Sequence, residues 1–179
     1  MPFSDVKTGD WFYLSVRTAY EQGLINGTSA STFSPAETLT RAQLVTMLYR
    51  MAGSPKVSCA SSFTDLTQDY YQLPVCWASL EGYVTGYSES VFGPDDPITR
   101  QDLAAVLYRM AGKPEVKGSL KEFQDAEDVS DYAIDPVQWA VEQGIMQGSD
   151  GLLRPRASAS RAEASAILVR FLILMDEVE

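Results

Sequence analysis

Thr40-Arg41-Ala42-Gln43-Leu44-Val45-Thr46-Met47-Leu48-Tyr49-Arg50-Met51-Ala52-Gly53 is the stretch whose periodicity sets the fold. Leu44, Val45, Leu48 and Met51 fall at i, i+1, i+4 and i+7, one face of an α-helix. Thr40 with Gln43 three residues on is a capping-box signature, and Gly53 followed by Pro55 marks a helix end. The pattern returns twice. Leu103, Ala104, Leu107 and Met110 follow Thr99-Arg100 and lead into Gly112 and Pro114. Ala164, Ile167, Leu168 and Phe171 follow Ser160-Arg161, without a terminal glycine, so that helix is expected to continue through Leu172 and Met175.

Working outward, the rest of the chain repeats with the same period. Phe3-Ser4-Asp5-Val6, Phe63-Thr64-Asp65-Leu66 and Phe123-Gln124-Asp125-Ala126 open three blocks. Gly23, Gly82 and Gly144 align, as do Gly27, Gly86 and Gly148, and Pro35, Pro94 and Pro155. Each block carries an earlier, shorter helix. Its core face is Val16/Ala19, Val75/Ala78 or Val137/Ala140, and its stop is the first aligned glycine. Asp10, Asp69 and Asp131 are read as caps of a first turn. Pro74 and Pro136 share one position that a continuous helix would not tolerate, so a second helical start is expected there, with Asp135 as its cap. Strand signals are weak. The expectation is an all-α chain of three helix–loop–helix repeats, 1–53, 63–112 and 123–175, joined by linkers at 54–62 and 113–122. Units this small each barely bury a core, so they are expected to pack on one another.

Composition narrows the function. The formal charge is −10, which argues against nucleic acid and anionic membrane as partners. With no histidine, the commonest general base and metal ligand are both missing, and no Gly-rich phosphate loop or paired nucleophile compensates. Neither an enzyme, a metal site nor a cofactor is expected. Asp95, Asp96 and Asp150 lack calcium-loop spacing and read as solvated surface. No run reaches the length of a membrane span. The chain opens directly on the first repeat without a signal-peptide pattern, which fits either the mature part of a longer secreted protein or an intracellular chain. Cys59 and Cys76 fit a disulfide or two buried thiols.

The candidate binding residues are the repeated ones. Arg41, Arg100 and Arg161 occupy the first helical position, where the dipole disfavours a cation. Three such placements suggest a role that offsets this cost, namely a fork for carboxylate or phosphate beside a helix N-terminus, with an inter-repeat salt bridge as the alternative. Removing such a cation is expected to leave folding intact. Trp11, Tyr70 and Tyr132 fit either core staples or platforms for a sugar ring. Phe3, Phe63 and Phe123 read as core, and Asp5, Asp65 and Asp125 as turn or capping residues.

The Phe-x-Asp opening, the Ala-x-x-x-Gly helix ends, the loop Phe-x-Pro of Phe33 and Phe92, and Leu39-Thr40-Arg41-Ala42-Gln43 with its two counterparts resemble S-layer homology repeats over residues 3 to about 173. The resemblance implies an all-helical pseudo-threefold assembly that anchors bacterial surface proteins to the cell wall non-covalently. It implies recognition of secondary cell-wall polysaccharide carrying pyruvate ketals, in grooves between repeats, with Arg41, Arg100 and Arg161 as the family's arginines. This chain departs from the family pattern at Gln43, Gln101-Asp102, Ala159-Ser160 and Leu153, so three sites of equal affinity are not expected. Arg154 and Arg156 add positive charge to the third loop, which points to that groove first. The expected partner is anionic cell-wall polysaccharide at the extracellular bacterial surface, bound by Arg41, Arg100, Arg161, Trp11, Tyr70, Tyr132, Arg154 and Arg156. A helical scaffold that binds other surface proteins is the second reading.

Overall fold

The second helix of each repeat is fixed at both ends by its own sequence. In a computed structural model describing residues 1–59 and 61–178, these helices are α2 (Arg41–Met51), α4 (Arg100–Met110) and α6 (Arg161–Val178); the first helices are α1 (Tyr13–Glu21), α3 (Asp69–Leu80) and α5 (Ile134–Glu142). Thr40 Oγ1 accepts the Gln43 amide while Gln43 Oε1 accepts the Thr40 amide, both at 3.2 Å. Ser160 and Glu163 close the same box at 3.2 and 2.8 Å. Asp102 is one carbon shorter than Glu or Gln. Instead of reaching back to the cap amide, its carboxylate accepts the Thr99 hydroxyl at 2.5 Å. At the far end Gly53 takes φ +76° and Gly112 φ +80°, the left-handed cap that glycine adopts without a Cβ penalty. α6 has no such glycine and runs on to Val178, as expected.

The first helices correct the sequence reading. Val16, Ala19, Val75, Ala78, Val137 and Ala140 are all fully buried, as expected. Asp10, Asp69 and Asp131 do not cap. Asp10 accepts the Lys7 amide upstream of α1, while Asp69 and Asp131 lie within first turns that have no side-chain cap. Repeat two has no second start: α3 is continuous through Pro74. Proline there removes only one ladder bond close to the helix start, where few are yet made. Repeat three does break, into a 3₁₀ turn (Asp131–Ala133) followed by α5, with Pro136 in the first turn and Ala133, not Asp135, at the cap position.

The repeats close into a ring. α2 packs on α3, α4 on α5, and α6 returns to α1. Trp77 and Trp139 sit at the first two junctions, edge-on to Tyr49 and tilted against Tyr108, with centroids 5.6 Å apart in each. At the centre, three residues from three repeats bond in a cycle: Leu39 N–H to Ala159 O, Ala159 N–H to Ile98 O, and Ile98 N–H to Leu39 O, each 2.9 Å. All three side chains are buried. Contacts of this kind remain isolated bridges, and no strand forms among the described residues. The result is an all-α, pseudo-threefold assembly of the three units.

Each long loop is pinned by the opening aspartate of its own repeat. Asp5 accepts the amides of Phe33 and Ser34, Asp65 those of Phe92 and Gly93, and Asp125 those of Leu153 and Arg154. These are not local caps, as the sequence suggested, but clasps spanning 27 to 29 residues. Burial raises the pKa of each carboxyl, but the amide bonds outweigh it and hold all three below the usual aspartate value. Phe3 is buried, while Phe63 and Phe123 are only half-buried. Each ring presses on the loop glycine of its repeat: a Cβ at Gly27, Gly86 or Gly148 would collide with Phe3, Phe63 or Phe123. Cys59 and Cys76 form a disulfide that ties the first linker to α3, with Cα atoms 6.3 Å apart.

Candidate functional site

The three arginines do start their helices, and each side chain crosses into the next repeat. Arg41 donates Nε to Phe92 O at 3.1 Å and Nη2 to Thr85 O at 2.8 Å. Arg100 donates Nε to Leu153 O at 2.8 Å and Nη2 to Gln147 O at 3.1 Å. Arg161 closes the cycle, donating Nε to Phe33 O at 2.9 Å and Nη2 to Asn26 O at 2.7 Å. Arg100 and Arg161 are buried, and burial lowers the pKa of both. Part of their role is therefore structural, which the placement against the dipole does not reveal.

The helix N-termini are not anion sites. The amides of the first two residues are taken by the neighbouring loop: Arg41 and Ala42 by Asp96 O and Pro94 O, Arg100 and Gln101 by Ala157 O and Pro155 O, Arg161 and Ala162 by Glu37 O and Pro35 O. The third amide is held by the cap hydroxyl. The dipole end is thus satisfied internally, and only the guanidinium can present positive charge to a ligand. The salt-bridge alternative holds at one position, where Arg100 Nη1 meets Glu163 Oε1 at 2.9 Å. Arg41 and Arg161 lie instead over the rings of Phe92 and Phe33, at 4.6 and 4.7 Å. Leu153 replaces that ring in the third loop and offers Arg100 no π face.

Three grooves result, each built by all three repeats. The repeat-one groove, about 350 Å³, is lined by Gln43 and Arg50 of α2, the loop around Asn26, Arg161 from repeat three and Tyr70 from repeat two. The repeat-two groove, about 430 Å³, has Asp102, Arg109 and Tyr87, with Arg41 and Tyr132 from its neighbours. The repeat-three groove, about 360 Å³, has Glu163, Arg170 and Arg154, with Arg100 and Trp11 from its neighbours. The aromatics are not core staples: Trp11, Tyr70 and Tyr132 are 66%, 52% and 56% exposed. Each meets an arginine of another repeat, a pairing that sequence alignment alone does not suggest. Arg154 lines its groove; Arg156 is exposed and lines none of the three.

Arg50, Arg109 and Arg170 escape the sequence reading. They donate to the carbonyls of Leu24, Tyr83 and Ile145 at 3.2, 3.0 and 3.2 Å and give every groove a second guanidinium. The signal is their threefold alignment; Arg50 and Arg109 read as ordinary compensation of a helix C-terminus by basic residues, whereas Arg170 lies within α6. Tyr132 donates to Asp102 Oδ1 at 2.5 Å, and burial together with that bond pushes its phenol up to about 12.

Two guanidinium groups beside an exposed ring are a donor set that suits an anionic sugar, with charge-assisted bonds for the acid group and a stacking face for the ring, although Arg100 already pairs with Glu163. The S-layer homology domain family matches the chain at residues 2–45, 62–104 and 122–165. An endoglucanase of Bacillus sp. (strain KSM-635) is 36% identical over 93% of this chain and 18% of its own length. The surface-layer 125 kDa protein of Lysinibacillus sphaericus is 28% identical over 87% of the chain and 14% of its own. The cellulosome-anchoring protein of Acetivibrio thermocellus is 27% identical over 69% of the chain and 29% of its own. The chain thus spans less than a third of each of these relatives. With three matched segments and a ring of three repeated units, the chain belongs to the S-layer homology domain family.

Proposed function

We propose that this chain is a cell-surface anchoring module that binds an anionic secondary cell-wall polysaccharide, its acid group a ketal-linked pyruvate, in the grooves between repeats. The observation that carries this reading is the threefold recurrence of one composite site: two inward-held guanidinium groups and one exposed aromatic, drawn from three repeats. The module acts extracellularly and non-catalytically. Relatives named as surface-layer and anchoring proteins support the surface role, and those named for glucanase activity are matched over less than a fifth of their length.

Sedimentation with purified cell walls tests it. Walls should retain the chain, and mild acid that removes pyruvate ketals should abolish retention. Equal retention by treated walls would overturn the pyruvate assignment. Loss of retention only after protein components are stripped would favour the second reading, a helical scaffold for other surface proteins. That reading draws support from the Arg100–Glu163 ion pair and the carbonyl bonds of the arginines, through which these residues also serve the ring itself.

A further inference from the structure

The three grooves differ most at one position, the third residue of the second helix: Gln43, Asp102 or Glu163. In the repeat-three groove Glu163 is fully engaged. Oε1 pairs with Arg100 at 2.9 Å and Oε2 accepts the Ser160 amide at 2.8 Å. An incoming carboxylate must share Arg100 with a carboxylate already there, and like charges at close quarters in a partly desolvated site repel strongly. Arg154 and Arg170 add charge around it but leave that contact in place.

The repeat-two groove is closed differently. Asp102 is held by the hydroxyls of Thr99 and Tyr132, both at 2.5 Å, so the groove again contains an acid, and its aromatic is tethered. Arg41 lies against two rings, Phe92 at 4.6 Å and Tyr87 at 4.7 Å.

The repeat-one groove has neither obstacle. Gln43 makes the same capping box as Glu163 with a neutral amide. Arg161 lies over Phe33, and the residue aligned with Tyr87 is Thr28, which has no ring to cover the guanidinium. Glu37 and Asp5 act on Arg161 only at longer range; neither comes within ion-pair distance. Arg50 stands alongside, and among the described residues no acidic side chain lines the groove.

We infer that the chain has one tight carboxylate site, the repeat-one groove formed by Arg161, Arg50 and Tyr70, and that the neutral amide of Gln43 selects it over the other two. This rests on the glycan-binding reading and reverses the sequence-based preference for the third loop. The ligand class is a sugar bearing a single carboxylate, the acid between the two guanidinium groups and the ring against Tyr70.

Calorimetric titration of the whole chain with pyruvate-bearing oligosaccharide, released from walls that retain it, tests the inference. The expected result is one tight site per chain. Gln43→Glu should weaken it about tenfold or more by placing a second carboxylate beside Arg161, and Glu163→Gln should create a second site of similar affinity. Both changes preserve the capping box, and thermal melting of each variant checks that the fold is kept. Two or more tight sites in the unchanged chain, or a Gln43→Glu affinity within threefold of the original, would overturn it. A chain retained by no wall preparation defeats the anchoring proposal instead, so the two failures are distinguishable.

Discussion

Arg161 reaches 135 residues back along the chain to donate to the carbonyl of Asn26 at 2.7 Å. One side chain thereby joins the last repeat to the first and forms a wall of the repeat-one groove. Arg161→Ala should therefore not be neutral, as its place at a helix start suggested. It leaves the carbonyl of buried Phe33 without this partner, and that of exposed Asn26 to water, at a cost of about 1–3 kcal/mol set by the buried one. Urea denaturation measures this; an unchanged midpoint would show that water replaces the guanidinium freely.

Gly86→Ala tests the close approach of loop and ring. The added methyl meets Phe63 and lies 2.6 Å from the carbonyls of Ser88 and Val91, so backbone must shift. Overpacking of this kind costs about 1–3 kcal/mol. The same substitution at Gly9, where a Cβ meets nothing, is the control and should be silent in thermal melting.

Acid should loosen the loop clasps. The carboxyls of Asp5, Asp65 and Asp125 are depressed in the folded chain, so their contribution to stability is complete above the unfolded value near 3.8 and is lost as pH falls through the lower folded values. Stability measured between about pH 6 and pH 3, a window set by those values, should fall less steeply for Asp65→Asn than for the unchanged chain. Parallel curves would place the acid sensitivity elsewhere.

Reduction should weaken the first junction. The Cys59–Cys76 bridge closes a short loop with a sequence separation of 17, for which chain entropy predicts about 3 kcal/mol. Cys76→Ser, compared with the unchanged chain in the presence and absence of reductant, should lower the melting temperature. Reductant should then have no further effect on the variant.

Salt should affect binding little. Under the proposed function, a chain of net charge −10 should repel the anionic polymer at long range and attract it only inside the grooves. Raising ionic strength screens the repulsion beyond about 8 Å and leaves short, half-buried contacts largely intact. A steep log-linear loss of affinity in a salt titration would instead indicate diffuse surface charge.

What can be read from the sequence is local. The helix spanning Leu44 to Met51, its Thr40 cap and its Gly53 stop are each fixed by residues a few positions apart, and all but the last recur in every copy. Pro74 misleads because the sequence marks a turn at Asp69 and a proline five residues on but not whether the two segments join. They form one helix in repeat two and break in repeat three, where Pro136 holds the same position. The partners of the arginines are out of reach: Thr85, Gln147 and Asn26 lie 44, 47 and 135 residues away. Alignment pairs Trp11 with its own repeat's Arg41, whereas folding delivers it to the groove of Arg100. A linear repeat shows which residues recur but not how they are dealt around a ring.

That dealing constrains how the array evolves. Loss of any one copy leaves no groove whole: without repeat three, the groove of repeat one lacks Arg161 and that of repeat two lacks Tyr132. A mutation in one copy also retunes the site of another, since Arg100 belongs to repeat two but serves repeat three. Copy number is therefore fixed by the geometry of the ring, and a change in one copy is felt in a groove of another.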